Sequence, residues 1–275
     1  MTTDTAVRPA GIPVGRIVSA SDLIALVKFR YHITFVNVVF GALIFASTPD
    51  LTLAGRLVAL YLSFNVLMYG GIYALNDWAD RDDDARHPQK RHRPLAAGRI
   101  APTTGLVFAA LLVAAGLAVS AALFEPAIVA CHLAALGLNL LYSFGGRNVR
   151  YIDLVLNSAP HVIRFLMGVL LVGRVPPAGH LMGLFLLAII LSCLRRHVER
   201  GCDGWSARPT LSSYRRHELT LIAAISGSAL IALAVASAPA APGYWGILMA
   251  SSTVLTSGAC VSSSVRRAFA ALWLR

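Results

Sequence analysis

Apolar residues run along this chain in long unbroken stretches, not in the alternation of a half-buried strand. Eight stretches of roughly 20 residues, the length an α-helix needs to cross about 30 Å of hydrocarbon, can be placed at 31–48, 56–75, 104–123, 127–143, 153–172, 179–194, 219–237 and 244–262. Short segments rich in Pro and Gly, such as "GRVPPAG" and "SAPAAPG", break them as helix-ending turns. Two longer polar segments, 76–102 and 195–216, lie in alternate connections and therefore on one side. The pattern predicts an all-α polytopic membrane bundle with residues 22–275 as a single transmembrane domain. Residues 1–21 read as a retained, flexible lead, because "MTTDTAVRPAGIPVGRIVSASD" has no apolar core of the kind a cleaved leader carries.

Charge orients the bundle. Only 13% of the residues are charged against 57% hydrophobic, well below the charged share of a soluble domain. Lys and Arg in short loops are retained on the cytoplasmic side. All 24 of them except Arg56, Arg164 and Arg174 fall in the N-terminal segment, the alternate loops or the tail. Both termini and the two polar segments are thus expected to be cytoplasmic, in a membrane of the bacterial inner type. The net charge of +11 is what this topology produces, so nucleic acid is not an expected partner. Cys131, Cys193, Cys202 and Cys260 stand singly, without the spacing of a zinc site or a disulfide framework.

One polar segment carries candidate chemistry in its spacing. "NDWADRDDD" puts Asp77, Asp80 and Asp84 at offsets of three and four, one face of a helix at successive turns. Such a row of carboxylates repels itself unless cations occupy it. Mg²⁺ takes one or two carboxylates together with phosphate oxygens and water, so the row suits a metal-bound diphosphate. Asp82 and Asp83 read as solvated. In the basic run that follows, "HPQKRHRPLAAGR", Lys90, Arg91 and Arg93 are expected to act as a group on phosphate oxygens.

Together "NDWADRDDD" and "HRPLAAGRI" resemble the first signature of the UbiA superfamily of intramembrane prenyltransferases, NDxxDxxxD followed by a segment like NRPLPSGRI. "YSFGGRNVRYIDL" is similar to the family's tyrosine-plus-basic segment after its fourth helix. The resemblance implies a helical bundle, usually of nine helices, around a lipid-facing cavity capped by two cytosolic loops that hold Mg²⁺ and diphosphate. It implies metal ligation by Asp77, Asp80 and Asp84, and substrate contacts from Asn76, Tyr142 and Arg147. The family's second acidic motif, DxxxD, has no literal match. Its counterpart is Glu199 and Asp203 in "LRRHVERGCDGW", a pair that shares a face only if the helix continues through Gly201 and Gly204, and both are expected near a metal. "SSVRRAFAALWLR" is too short and too charged for a ninth crossing.

Ionisable groups within apolar stretches are functional candidates by default. Asn157, His161 and Arg164, at offsets of four and three, share a face expected to look into the bundle and toward substrate. Bound diphosphate beside a greasy cavity points to ionisation of a carbon–oxygen bond and attack by a second, lipid-soluble substrate. Two donors fit: an isoprenyl diphosphate with an aromatic or isoprenoid acceptor, or phosphoribosyl diphosphate with a polyprenyl phosphate. In the second case Arg195, Arg196 and Arg164 are the residues expected to bind the sugar phosphate. The segments "KRHRPLAAG", "VIRFLMG" and "RPTLSSY" are similar to the decaprenyl-phosphate phosphoribosyltransferase branch, whereas "KFRYHITFVNVVFG" departs from that branch's RPxQWxKN opening. Terpene cyclisation and non-catalytic transport are further alternatives.

Overall fold

The computed structural model describes residues 18–88, 90–200, 209–215, 217–237 and 241–261, and for 209 and 255–261 the backbone alone. Every regular element among them is helical: α1 (Ala20–Val27), a 3-10 stretch (Phe29–Phe35), α2 (Val36–Phe45), α3 (Leu51–Leu60), a π-helical stretch (Tyr61–Tyr69), α4 (Gly70–Arg86), α5 (Pro102–Leu123), α6 (Pro126–Ser143), α7 (Ile152–Leu171), α8 (Ala178–Arg200), α9 (Pro209–Ser213), α10 (Glu218–Ser237) and α11 (Pro242–Val261), with single 3-10 turns at Lys90–His92 and Gly146–Asn148. Starts follow local chemistry. The Asp50 carboxylate accepts from the Leu53 amide at 2.7 Å to cap α3, and Pro102 and Pro126 open α5 and α6, where a missing N–H costs nothing.

Seven helical segments among the described residues are long and apolar enough to cross a membrane. The eighth predicted stretch falls on α11, a helix of 20 residues. Side chains such as Leu51, Ile33, Leu111 and Val235 point outward, 92%, 69%, 64% and 74% exposed. So much outward apolar surface needs lipid as its solvent, and the chain is an integral membrane protein.

Two boundaries depart from the hydropathy reading. The first crossing begins at Ala20 and is broken at Lys28, whose φ of 54° lies in the left-handed region. The second runs unbroken from Leu51 to Arg86, 36 residues, so 76–86 is helix where the pattern predicts the start of a polar loop. Ion pairs from other parts of the chain compensate the charges of that last part, which a hydropathy pattern cannot register.

The core sits where α2 crosses α7. A Cβ on Gly168 would lie 2.0 Å from the Val38 carbonyl oxygen, and one on Gly41 2.3 Å from that of Phe165. Only glycine allows backbones this close, the packing mode of membrane helices. Val38, Phe64, Met68 and Met167 are buried on one side of the crossing, and Phe165, Leu184 and Trp245 on the other. Successive crossings reverse direction, and the C-terminal ends of α4, α6 and α8 gather at one end of the bundle. Arg147, just beyond α6, ties α4 to α9, its guanidinium on Asp80 and its carbonyl accepting from Thr210 of α9 at 3.3 Å. The Arg56–Glu125 ion pair marks the opposite end.

Candidate active site

The long second crossing carries the acidic row to the polar end. Asp77 and Asp84 are buried, 2% and 3% exposed. Asp80 is half-buried, while Asp82 and Asp83 are exposed beside Arg81 and Arg86. Each carboxylate of the row meets a base. Lys28 Nζ lies 2.5 Å from Asp77 Oδ1. One Arg93 nitrogen bridges Asp77 at 2.9 Å and Asp84 at 2.7 Å. Arg147 grips Asp80 with two nitrogens, at 2.8 and 2.9 Å, the two-pronged geometry that a guanidinium offers a carboxylate.

These pairs set the electrostatics outside the crossings. The bond to Asp80 holds Arg147 above its ordinary pKa. Burial pulls Arg93 down, but Asp77 and Asp84 outweigh it and the net shift is upward. Both remain charged. A cavity of about 540 Å³ opens beside Lys28, Asp77 and Arg93, with Phe29, Arg30 and Arg99 at its edge.

The predicted basic group is divided. Arg93 sits on the carboxylates, Lys90 approaches Asp84 only to 3.9 Å, and Arg91 is exposed beside His92. Asn76 accepts a hydrogen bond from Ser143 at 2.6 Å, and Tyr142 is half-buried at the end of α6.

Around the end of α8 a second charged group forms. Glu199 is buried between Arg195 at 3.0 Å and Arg196 at 2.7 Å. Arg196 also donates to Asp153 at 2.8 Å, and the Tyr214 hydroxyl donates to the same carboxylate. Burial and that carboxylate raise the Tyr214 pKa. Asp203, the predicted partner of Glu199, lies outside the described residues, as does the 263–275 segment.

Among the described residues no three Asp, Glu, His or Cys side chains converge into a ready cation cage. The row offers separate hard oxygen donors instead. That set fits a cation such as Mg²⁺, which takes one or two carboxylates and completes its shell with phosphate and water.

In the interior, the α7 face splits. Asn157 donates to Ser192 of α8 at 2.8 Å, while His161 Nδ1 lies 2.9 Å from the Asn37 amide nitrogen of α2. Arg164, 4% exposed, rests over the Tyr69 ring at 4.3 Å. The site thus gathers four residues that sequence reasoning did not assign to it: Lys28, Tyr69, Asp153 and Tyr214. Asp153 had a signal, a carboxylate opening an apolar stretch. Lys28 read as topology alone.

Comparison with known proteins identifies the fold and the family. The chain superposes on a UbiA homologue from Archaeoglobus fulgidus bound to GPP and Mg²⁺ with a TM-score of 0.67 at 19% identity, covering 91% of this chain and 95% of that one, a likeness of fold. It is 31% identical to the prenyltransferase ascA of Acremonium egyptiacum over 47% of this chain and 38% of the relative. It is 26% identical to the decaprenyl-phosphate phosphoribosyltransferase of Corynebacterium glutamicum over 64% of this chain and 54% of the relative. The chain spans about half or less of the length of the curated relatives it matches. The model of the UbiA prenyltransferase family matches residues 34–270. The chain belongs to the UbiA prenyltransferase family.

Proposed function

We propose that this chain is a Mg²⁺-dependent membrane transferase that ionises a prenyl diphosphate and joins the prenyl group to a lipid-soluble aromatic or isoprenoid acceptor. The observation that carries the reading is the row Asp77, Asp80 and Asp84, the first and last of them buried and each carboxylate set against a base from outside α4, above a tyrosine-lined interior. Asp77, Asp80 and Asp84 would hold Mg²⁺, with Glu199 and Asp203 as ligands from the second polar segment. When bound, the metal would supply charge neutralisation for the leaving diphosphate.

The chain's own residues do the rest. Lys28, Arg93 and Arg147, with Lys90 and Arg91 nearer solvent, donate to the phosphate oxygens on which the C–O bonding pair settles as that bond breaks. Asn76 and Tyr142 border the same end. The apolar bundle keeps water from the allylic cation, and the acceptor closes the new bond and releases a proton to solvent or product diphosphate. The polar end faces the cytoplasm of an inner-membrane-type bilayer in this reading, as the distribution of Lys and Arg supports.

A second reading draws on one observation: decaprenyl-phosphate phosphoribosyltransferases are among the relatives, matched over 60–64% of this chain. There the donor is phosphoribosyl diphosphate, and Arg195 and Arg196 face the sugar phosphate. The test is transfer of label by purified protein in detergent with Mg²⁺, from prenyl diphosphates or from phosphoribosyl diphosphate with polyprenyl phosphate. Label passing from the prenyl donor to a lipid-soluble product supports the first reading. Label passing only from the sugar donor replaces it with the second.

A further inference from the structure

At the end of the bundle opposite the aspartate row, a cavity of about 360 Å³ opens between the end of α2 and the starts of α8 and α11, lined by Ile44, Phe45, Pro177, His180, Gly243 and Tyr244 among others. That is a volume small ligands take. His180 is buried, 6% exposed, and its Nδ1 has no hydrogen-bond partner among the described residues. Trp245, its ring centroid 5.5 Å from that of His180, buries its indole N–H without an acceptor as well. Buried polar atoms left unpaired are few in a folded protein, and two on adjoining rings point to a ligand.

Two helix N-termini meet the same cavity. First-turn amides have no acceptor within their own helix, and the residues just before α8 and α11, Pro177 and Ala241, carry no side-chain oxygen to cap them. The His180 amide turns back to the Pro177 carbonyl at 2.9 Å and the Trp245 amide to that of Ala241 at 3.3 Å, which leaves the amides of Ala178, Gly179, Gly243 and Tyr244 with no backbone acceptor among the described residues. Both helices turn the positive ends of their dipoles toward one place. No carboxylate lines the cavity, and Asp50, in the turn after α2, is spent on the cap of α3.

Such a set of donors recognises an anion, and its surroundings select one that carries apolar chains. Ile44 and Phe45 form an apolar wall of the cavity, and Leu43, Met182 and Ile247, each within a turn of a lining residue, are exposed to the surrounding lipid. We propose that this cavity binds the phosphate of a membrane phospholipid from the leaflet opposite the aspartate row. The first-turn amides of α8 and α11 and the His180 ring donate to the phosphate oxygens, and the acyl chains lie along α2, α8 and α11. The site is separate from the candidate active site and does not rest on the transferase reading.

The test is equilibrium binding to the full chain in dodecyl maltoside. The probes are dioctanoyl phosphatidylglycerol, dioctanoylglycerol, which has the same chains without the phosphate, and inorganic phosphate. The parent protein is expected to bind the phospholipid about tenfold or more tightly than the diacylglycerol, the worth of a charge-assisted hydrogen bond. Inorganic phosphate at the same concentration is expected not to displace it. His180→Phe keeps a ring against Phe45 and Tyr244 but removes the nitrogens; it weakens the phospholipid about fivefold or more and leaves the diacylglycerol unchanged. Gly243→Leu puts a side chain where an added Cβ meets nothing within 4 Å, weakens the phospholipid as well, and decides the matter if His180→Phe does not fold. A loss in either variant supports the site. The proposal is overturned if both variants bind the phospholipid as the parent does, the result that binding at the basic end of the bundle would give, or if the parent binds it no better than the diacylglycerol. Displacement by inorganic phosphate at equal concentration overturns the assignment to a lipid.

Discussion

Arg196 and Asp153 are both buried, 0% exposed, and bonded at 2.8 Å. Removing one partner of such a pair strands the other away from water, so Asp153→Ala is expected to cost about 3 kcal/mol, with Glu199 still holding one side of the guanidinium. Arg86 and Asp83, both about three-quarters exposed, are the control: Arg86→Ala changes stability by no more than about 0.5 kcal/mol. Thermal unfolding of the two variants in detergent separates them, and equal midpoints would contradict the assignment of Asp153 as a structural partner. The spacing of Asp77, Asp80 and Asp84 was legible because helical offsets are local. Two of their bases were not, since Lys28 reaches Asp77 across 49 positions and Arg147 reaches Asp80 across 67. No window of sequence holds both ends of such a pair.

The eight predicted stretches all meet helices, because an unbroken apolar run in lipid has no other way to satisfy its backbone. What hydropathy misplaced were the ends that carry charge. The break at Lys28 and the extension of α4 to Arg86 both occur where ion pairs outweigh the polarity of the segment. Packing partners were also hidden: nothing in the pattern says that Gly168 meets the Val38 carbonyl. Gly168→Ala therefore forces α2 and α7 apart and is expected to destabilise by about 1–3 kcal/mol and to lower the yield of folded protein. At Gly137, in the middle of α6, an added Cβ meets nothing within 4 Å. Gly137→Ala is expected to be neutral or slightly stabilising, by up to about 1 kcal/mol. A Gly168→Ala protein as stable as the parent would show that the crossing is looser than described.

The bundle concentrates its charge at one end and its lipid-compatible surface everywhere else, and this asymmetry gives the membrane an orientation. A cysteine replacing exposed His92 is expected to react with a membrane-impermeant maleimide only from the cytoplasmic side, and one replacing exposed Arg174 only from the opposite side. Reversed labelling would invert the proposed topology. Family membership and architecture were legible in the sequence through one dense signature and the alternation of loops. The donor was not, because a row of aspartates recognises a diphosphate whatever carbon is attached to it.

The account turns on that row, and label transfer from a prenyl diphosphate, with Mg²⁺ or with EDTA, by the parent protein and by Asp77→Asn/Asp80→Asn probes it most directly. Transfer to a lipid-soluble product is expected only in the parent with Mg²⁺, with a loss of about a hundredfold or more in the folded variant. Transfer that survives EDTA, or that the doubly substituted protein performs at the parental rate, would contradict a metal-bound diphosphate at these aspartates.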